Sequence, residues 1–222
     1  MLVGHIAVGL LAKRRLPSLT LGTVVLAALL ADLLWCVFTI AGVERVEIVA
    51  GRGAANYWRP VQIAYSHSLA TMLVWAALFT GVWVFVRKPP AGAAIVFAAV
   101  LSHWVLDFVS HRPDMPLAPG LRLYYGLGLW TSVPATLVVE GGLWVAALVL
   151  YARATRRARR AGTAAFWVVA AVVTLAWYNN IAGPPPPDPR TAPVASLVFF
   201  SLIVAWAYWM NRAREARADR TQ

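Results

Sequence analysis

The sequence predicts an all-α polytopic membrane bundle, with about six transmembrane helices and a short N-terminal half-helix. Three observations predict it. Of 222 residues, 60% are hydrophobic and only 13% are charged, too apolar for an ordinary soluble domain. The mean hydropathy of +0.66 agrees. Apolar runs near the length of a bilayer span, about 20 residues, recur from one end of the chain to the other.

The elements follow in order. Residues 2–12 are apolar but too short to span, so they form a half-helix that dips into the bilayer or packs on the bundle. Candidate spans are 17–42, 64–86, 91–110, 129–151, 163–183 and 194–211. Proline, glycine and charge punctuate the gaps, as in "RKPP" at 87–90, "RATRRARRAG" at 153–162 and "GPPPPDPR" at 183–190. The chain reads as one membrane domain, 1–222, ending in a basic tail, 212–222. No signal peptide is expected, because Lys13, Arg14 and Arg15 follow the first apolar stretch instead of preceding it.

Lys and Arg set the orientation. Clusters at 13–15, 87–88, 153–160 and 212–220 fall on one side, while Arg45, Arg52, Arg59, Arg112, Arg122 and Arg190 fall on the other. The denser side is cytoplasmic, which places both termini inside. The net charge of +11 is thus a topology signal, and a nucleic-acid partner is not expected. The basic tail also suits an anionic lipid surface. The one cysteine, Cys36, excludes an internal disulfide. Without an internal repeat, an inverted-repeat transporter is not supported.

Ionisable side chains at bilayer depth are costly, so they mark the place to look for function. At about 1.5 Å per helical residue, Asp32 lies roughly 15 Å from the outer end of its span, His103 roughly 10 Å and Glu140 roughly 16 Å. His67 is near the outer start of the second span, and Asp107 is one turn nearer the surface than His103. All belong to the outer half of the membrane. His5 points back toward the bilayer middle from the half-helix. In "SHWVLDFVSHRPD", His103 and Asp107 share a helix face, and Arg112-Pro113 disfavours further helix, leaving His111 and Asp114 in the turn above.

Imidazole with carboxylate is a donor set for zinc, and with more carboxylate for manganese or iron. The candidate ligands are His5, Asp32, His67, His103, Asp107 and His111, for one or two ions. Structural hydrogen bonding, such as His103 to Asp107, is the alternative for the same residues. Asp114 and Glu140 are candidate general bases, with a loop pair to Arg112 and a packing hydrogen bond as their alternatives. Arg112 and Arg122 are candidates to hold a phosphate. Ser66 and Ser68 either orient His67 or cap the second span. Asn179 and Asn180 read as interfacial.

These motifs resemble the membrane-bound, metal-dependent hydrolase family of bacterial inner-membrane proteins. The resemblance rests on His5 in "VGHIAVG", Asp32 in "LLADLLW", His67 in "YSHSL" and His103 with Asp107 in "SHWVLD", all within residues 1–115. The ligand order is also similar to that of zinc-dependent phospholipase C. The first carboxylate stands alone in "ADLL", and a second HxxxE/D helix is missing, which favours one or two metals over three. The resemblance implies hydrolysis of a phosphoester or a lipid-like amphiphile at the inner membrane. An ion, proton or metal transporter and a non-catalytic scaffold are the rival readings.

Overall fold

The computed structural model describes residues 1–16, 18–49, 55–87, 92–159, 161–186, 188 and 190–216. Arg52, Lys88, Arg160, Arg217 and Arg220, which entered the charge pattern above, lie outside them. The helices are α1 (Leu2–Arg15), α2 (Leu21–Ala28), α3 (Leu30–Ile40), α4 (Ala64–His67), α5 (Leu69–Arg87), α6 (Ala93–Ser110), α7 (Val133–Ala154), α8 (Gly162–Ala182) and α9 (Thr191–Ala213). α5 to α9 are each long and apolar enough to cross a membrane, and α2 with α3 makes a sixth, bent span. The fold is the expected all-α polytopic bundle.

Three short antiparallel pairs decorate its ends. β1 (Arg45–Ile48) pairs with β2 (Trp58–Gln62), β3 (Met115–Pro116) with β4 (Tyr124–Tyr125), and β5 (Thr155–Arg157) with β6 (Arg214–Ala216).

α1 is longer than the half-helix expected at 2–12, and it lies in the core. It packs against α2, α6 and α7, and Val3, Gly4, His5, Ile6, Ala7, Gly9 and Leu10 are all buried. Between membrane helices, close packing of small residues replaces the hydrophobic drive. Gly9 shows this directly, since a Cβ there would sit 2.7 Å from Val25 Cγ2 on α2.

α2 and α3 meet at Leu29 with a bend of 53°. At that bend the carbonyl of Ala28 lies 2.8 Å from Nδ1 of His103. A side chain reaching into the helical hydrogen-bond ladder is a recognised cause of such kinks. α6 stops at Ser110, and His111 is extended (φ −67°, ψ 151°), one residue before Arg112, which Pro113 disfavours in the α region. The segment after α6 is pinned by Gly126, where a Cβ would collide with the carbonyl of Arg112. Leu127 N–H donates to Phe108 O, and Gly128 N–H to His111 O.

Candidate metal centre

Five elements bring their ionisable groups to one point. α1 supplies His5, α3 supplies Asp32, α4 supplies His67, α6 supplies His103 and Asp107, and the segment after α6 supplies His111. His5 and His103 are fully buried and Asp107 is 2% exposed.

The two carboxylate oxygens of Asp107 face different neighbours. Oδ2 lies 3.2 Å from His103 Nε2, 3.7 Å from His67 Nε2 and 3.9 Å from His111 Nε2. Oδ1 lies 3.1 Å from His5 Nε2 and accepts from the Met1 ammonium at 2.7 Å. Asp32 Oδ1 closes the first group, 3.9 Å from both His67 Nε2 and His103 Nε2. The rings of His5 and His103 stack, centroids 3.6 Å apart and 5° from parallel.

The tautomers of His67 and His103 follow from their outer partners. Ala28 O can only accept, so His103 Nδ1 donates to it and Nε2 keeps its lone pair. Ser66 Oγ donates to Glu44 Oε2 at 2.6 Å, so it must accept from His67 Nδ1, also at 2.6 Å. The His67 Nε2 lone pair therefore also points inward, 3.3 Å from that of His103. The two imidazole lone pairs thus meet Asp107 Oδ2 on one side and Asp32 Oδ1 on the other, acceptors facing acceptors.

Such a convergence is repulsive until a cation enters it. For metal–ligand bonds of about 2.1 Å, tetrahedral donors stand about 3.4 Å apart. The 3.2–3.9 Å separations given above are of that size. Two overlapping groups, His5–His103–Asp107 and Asp32–His67–His103, could each hold a metal ion. The residues fit a metal as a donor set and in their spacing.

Glu44 is the residue that sequence reasoning missed. It follows α3, is 1% exposed, and receives the N–H groups of Tyr65 and Ser66 at 2.9 and 2.8 Å besides the Ser66 hydroxyl. Burial pushes its carboxyl above the usual range, and the three hydrogen bonds pull it back. The signal for it was Ser66: a hydroxyl that holds an imidazole needs an acceptor of its own.

The remaining candidates sit around this cluster. Asp114 Oδ1 lies 2.9 Å from His111 Nδ1 and orients that ring. Glu140 is buried, and its two oxygens accept the indole N–H of Trp130 at 2.7 Å and of Trp177 at 2.8 Å. Trp130 in turn packs on His111, ring centroids 4.5 Å apart. Glu140 does not line the cavity at the cluster. Arg112 lines a vestibule of about 290 Å³ with Arg59, His111 and Asp114. Arg122 is not brought there and lines a separate cavity with Arg45 and Tyr124.

The cluster opens into a cavity of about 430 Å³, bounded by Asp32, His67, Asp107 and His111 at one end and by α8 and α9 at the other. That volume is within the range of about 300–1,000 Å³ usual for small-molecule sites.

Comparison with curated proteins and with solved structures gives no match. The family model described as YdjM inner membrane protein matches residues 1–182, which include every candidate ligand. With its apolar helices, the chain belongs to the YdjM inner membrane protein family and is a multi-pass protein of the bacterial inner membrane.

Proposed function

We propose that this protein is a membrane-embedded, metal-dependent hydrolase acting on a phosphoester or a similar lipid-like amphiphile. The observation that carries the proposal is the pair of inward-facing imidazole lone pairs of His67 and His103, outer nitrogens already engaged, with carboxylate oxygens of Asp32 and Asp107 beside them. The motif resemblance described above points the same way.

Asp32, His67, His103 and Asp107 would hold the ion, with His111 on the open side. His5 would brace Asp107 through Oδ1 or, with His103 and Asp107, help to hold a second ion. Zinc fits the imidazole-rich set best, with manganese or iron as the alternatives. A divalent ion there supplies Lewis acidity, polarising a phosphoryl oxygen and making water acidic enough to attack near neutral pH.

The chain's own groups do the rest. Asp114 holds His111 in the tautomer that leaves Nε2 toward the cluster, where it can take a proton from an attacking water. Glu140 keeps Trp130 against His111. Arg112 in the vestibule would receive the anionic part of the substrate. Arg122, in a different cavity, would act only on approach. The charge pattern favours a site in the outer half of the membrane, with both termini cytoplasmic.

The test is hydrolysis of phosphomonoesters and phosphodiesters in mixed micelles by protein purified in detergent. Turnover that is removed by chelation, restored by zinc or manganese and absent from His103→Ala supports the reading. Full activity in His103→Ala sinks the assignment. Metal flux in proteoliposomes, lost in Asp32→Asn and unaccompanied by hydrolysis, would replace it with transport.

A further inference from the structure

The cavity at the cluster is also lined by the C-terminal end of α8 and the N-terminal end of α9, which bring no ionisable side chain to it. Ala176, Asn179 and Asn180 face it from α8, and Ala195, Ser196 and Phe199 from α9. Where the helices face each other the side chains are small: Ala176 is half-buried and Ala195 exposed. The slot therefore reaches the protein's surface between two helices long and apolar enough to span a bilayer. Its other walls are aromatic, with Trp35 and Phe200 alongside.

The two spaces differ in their basic side chains: among the described residues no Lys or Arg lines this cavity, whereas the neighbouring vestibule carries Arg59 and Arg112. The two spaces share Tyr57, Trp58, His111 and Trp130. The cluster thus stands between the α8–α9 slot, to which neither helix brings a charged side chain, and a vestibule that carries two arginines.

We infer that the α8–α9 slot binds the hydrocarbon chain of the substrate, an alkyl or isoprenyl phosphate or phosphodiester that approaches sideways from the bilayer. This rests on the hydrolase reading and names its substrate class. A chain in the slot places the polar end at Asp32, His67 and Asp107, with the anionic group toward Arg112. Ala176, Ala195, Phe199 and Phe200 offer a hydrocarbon chain apolar contact, Asn179, Asn180 and Ser196 add no charge, and continuity with the cluster fixes which end enters first. Interactions with the non-reacting chain would position the ester at the reacting groups. Ala176, Ala195 and Ser196 thereby become specificity-determining residues, distinct from the ligands.

The experiment uses dodecyl phosphate carrying a diazirine at the chain terminus, photolysed with the full-length, metal-loaded protein in detergent. Adducts are mapped by peptide mass spectrometry, and metal content is measured on the same samples. Expected are adducts within 176–180 and 195–200, competed at least about tenfold better by dodecyl phosphate than by butyl phosphate. Ala176→Trp fills the slot and should cut that labelling about tenfold with metal content unchanged. Ser196→Phe serves the same purpose should the tryptophan variant not fold. Labelling spread over the outward face of α5, unaltered by either variant and not competed, overturns the inference. Metal-loaded protein without slot labelling overturns the slot alone. Slot labelling in protein that takes up no metal supports the slot as a lipid site and removes the hydrolase reading on which its catalytic role depends.

Discussion

His67 and His103 face each other through their Nε2 atoms at 3.3 Å, while each Nδ1 is held by an oxygen acceptor. The two anchors differ in kind. For His103 it is a main-chain carbonyl at the bend between α2 and α3, so the kink and the tautomer have one cause. For His67 it is a hydroxyl whose own proton goes to Glu44. The inward lone pairs are thus fixed by the fold before any ion arrives, and that preorganisation makes each anchor testable.

Removing the Glu44 anchor should loosen the site without touching a ligand. In Ser66→Ala, His67 Nδ1 loses its acceptor and the ring can turn. Loss of an outer-shell partner of this kind typically weakens metal affinity about 10- to 100-fold. Glu44→Gln should fall within the same range, because its amide cannot receive all three donors. Competition with a chelator of known affinity measures both. Wild-type affinity in the two variants would show that the Glu44–Ser66 pair serves only to join α4 to the end of α3.

Glu140 separates a positioning role from a catalytic one. Glu140→Ala leaves the indole N–H groups of Trp130 and Trp177 without their acceptor. An unsatisfied buried donor costs about 1–3 kcal/mol, so the melting temperature in detergent should drop by several degrees. Metal content should stay at the wild-type value, since both oxygens are taken by indole N–H groups. Loss of metal with no change in thermal stability would instead make Glu140 a ligand.

α1 carries His5 only if it can lie against α2. Gly9→Ala puts a Cβ 2.7 Å from Val25 Cγ2 and 3.1 Å from Val25 Cα, and the backbone contact leaves little room to yield. Overpacking of this kind costs about 1–3 kcal/mol. Thermal denaturation should show that loss, and displacement of α1 should lower metal occupancy with it. Unchanged stability and occupancy would mean that α1 is not held where it is described.

Much of this was legible in the sequence, for a physical reason. Spans are set by the thickness of the hydrocarbon core, so apolar runs located α5 to α9 to within about five residues at each end. His5, Asp32, His67, His103 and Asp107 stood out because each is costly inside an apolar run, and the fold brings all five together. Glu44 did not stand out, lying in a polar connection beside Arg45 and Glu47, where carboxylates are usually solvated. The central place of α1 was hidden as well, since length alone distinguishes a span from a shorter helix but says nothing of what surrounds it. The partners of Glu140 were equally opaque, because Trp130 and Trp177 reach it from 10 and 37 residues away. Arg122 looked equivalent to Arg112 in sequence, and only the path of the chain between β3 and β4 separates them.

The central claim is that the converging lone pairs hold a divalent metal. Elemental analysis of protein purified in detergent, without added metal or chelator and beside His103→Ala and Asp107→Asn, tests it most directly. The account predicts about one or two equivalents of a transition metal in the wild type, zinc first, and at least a tenfold loss in both variants. Folded wild-type protein that carries no metal, and takes up neither zinc nor manganese on reconstitution, would contradict it and leave the cluster holding a proton between His67 and His103.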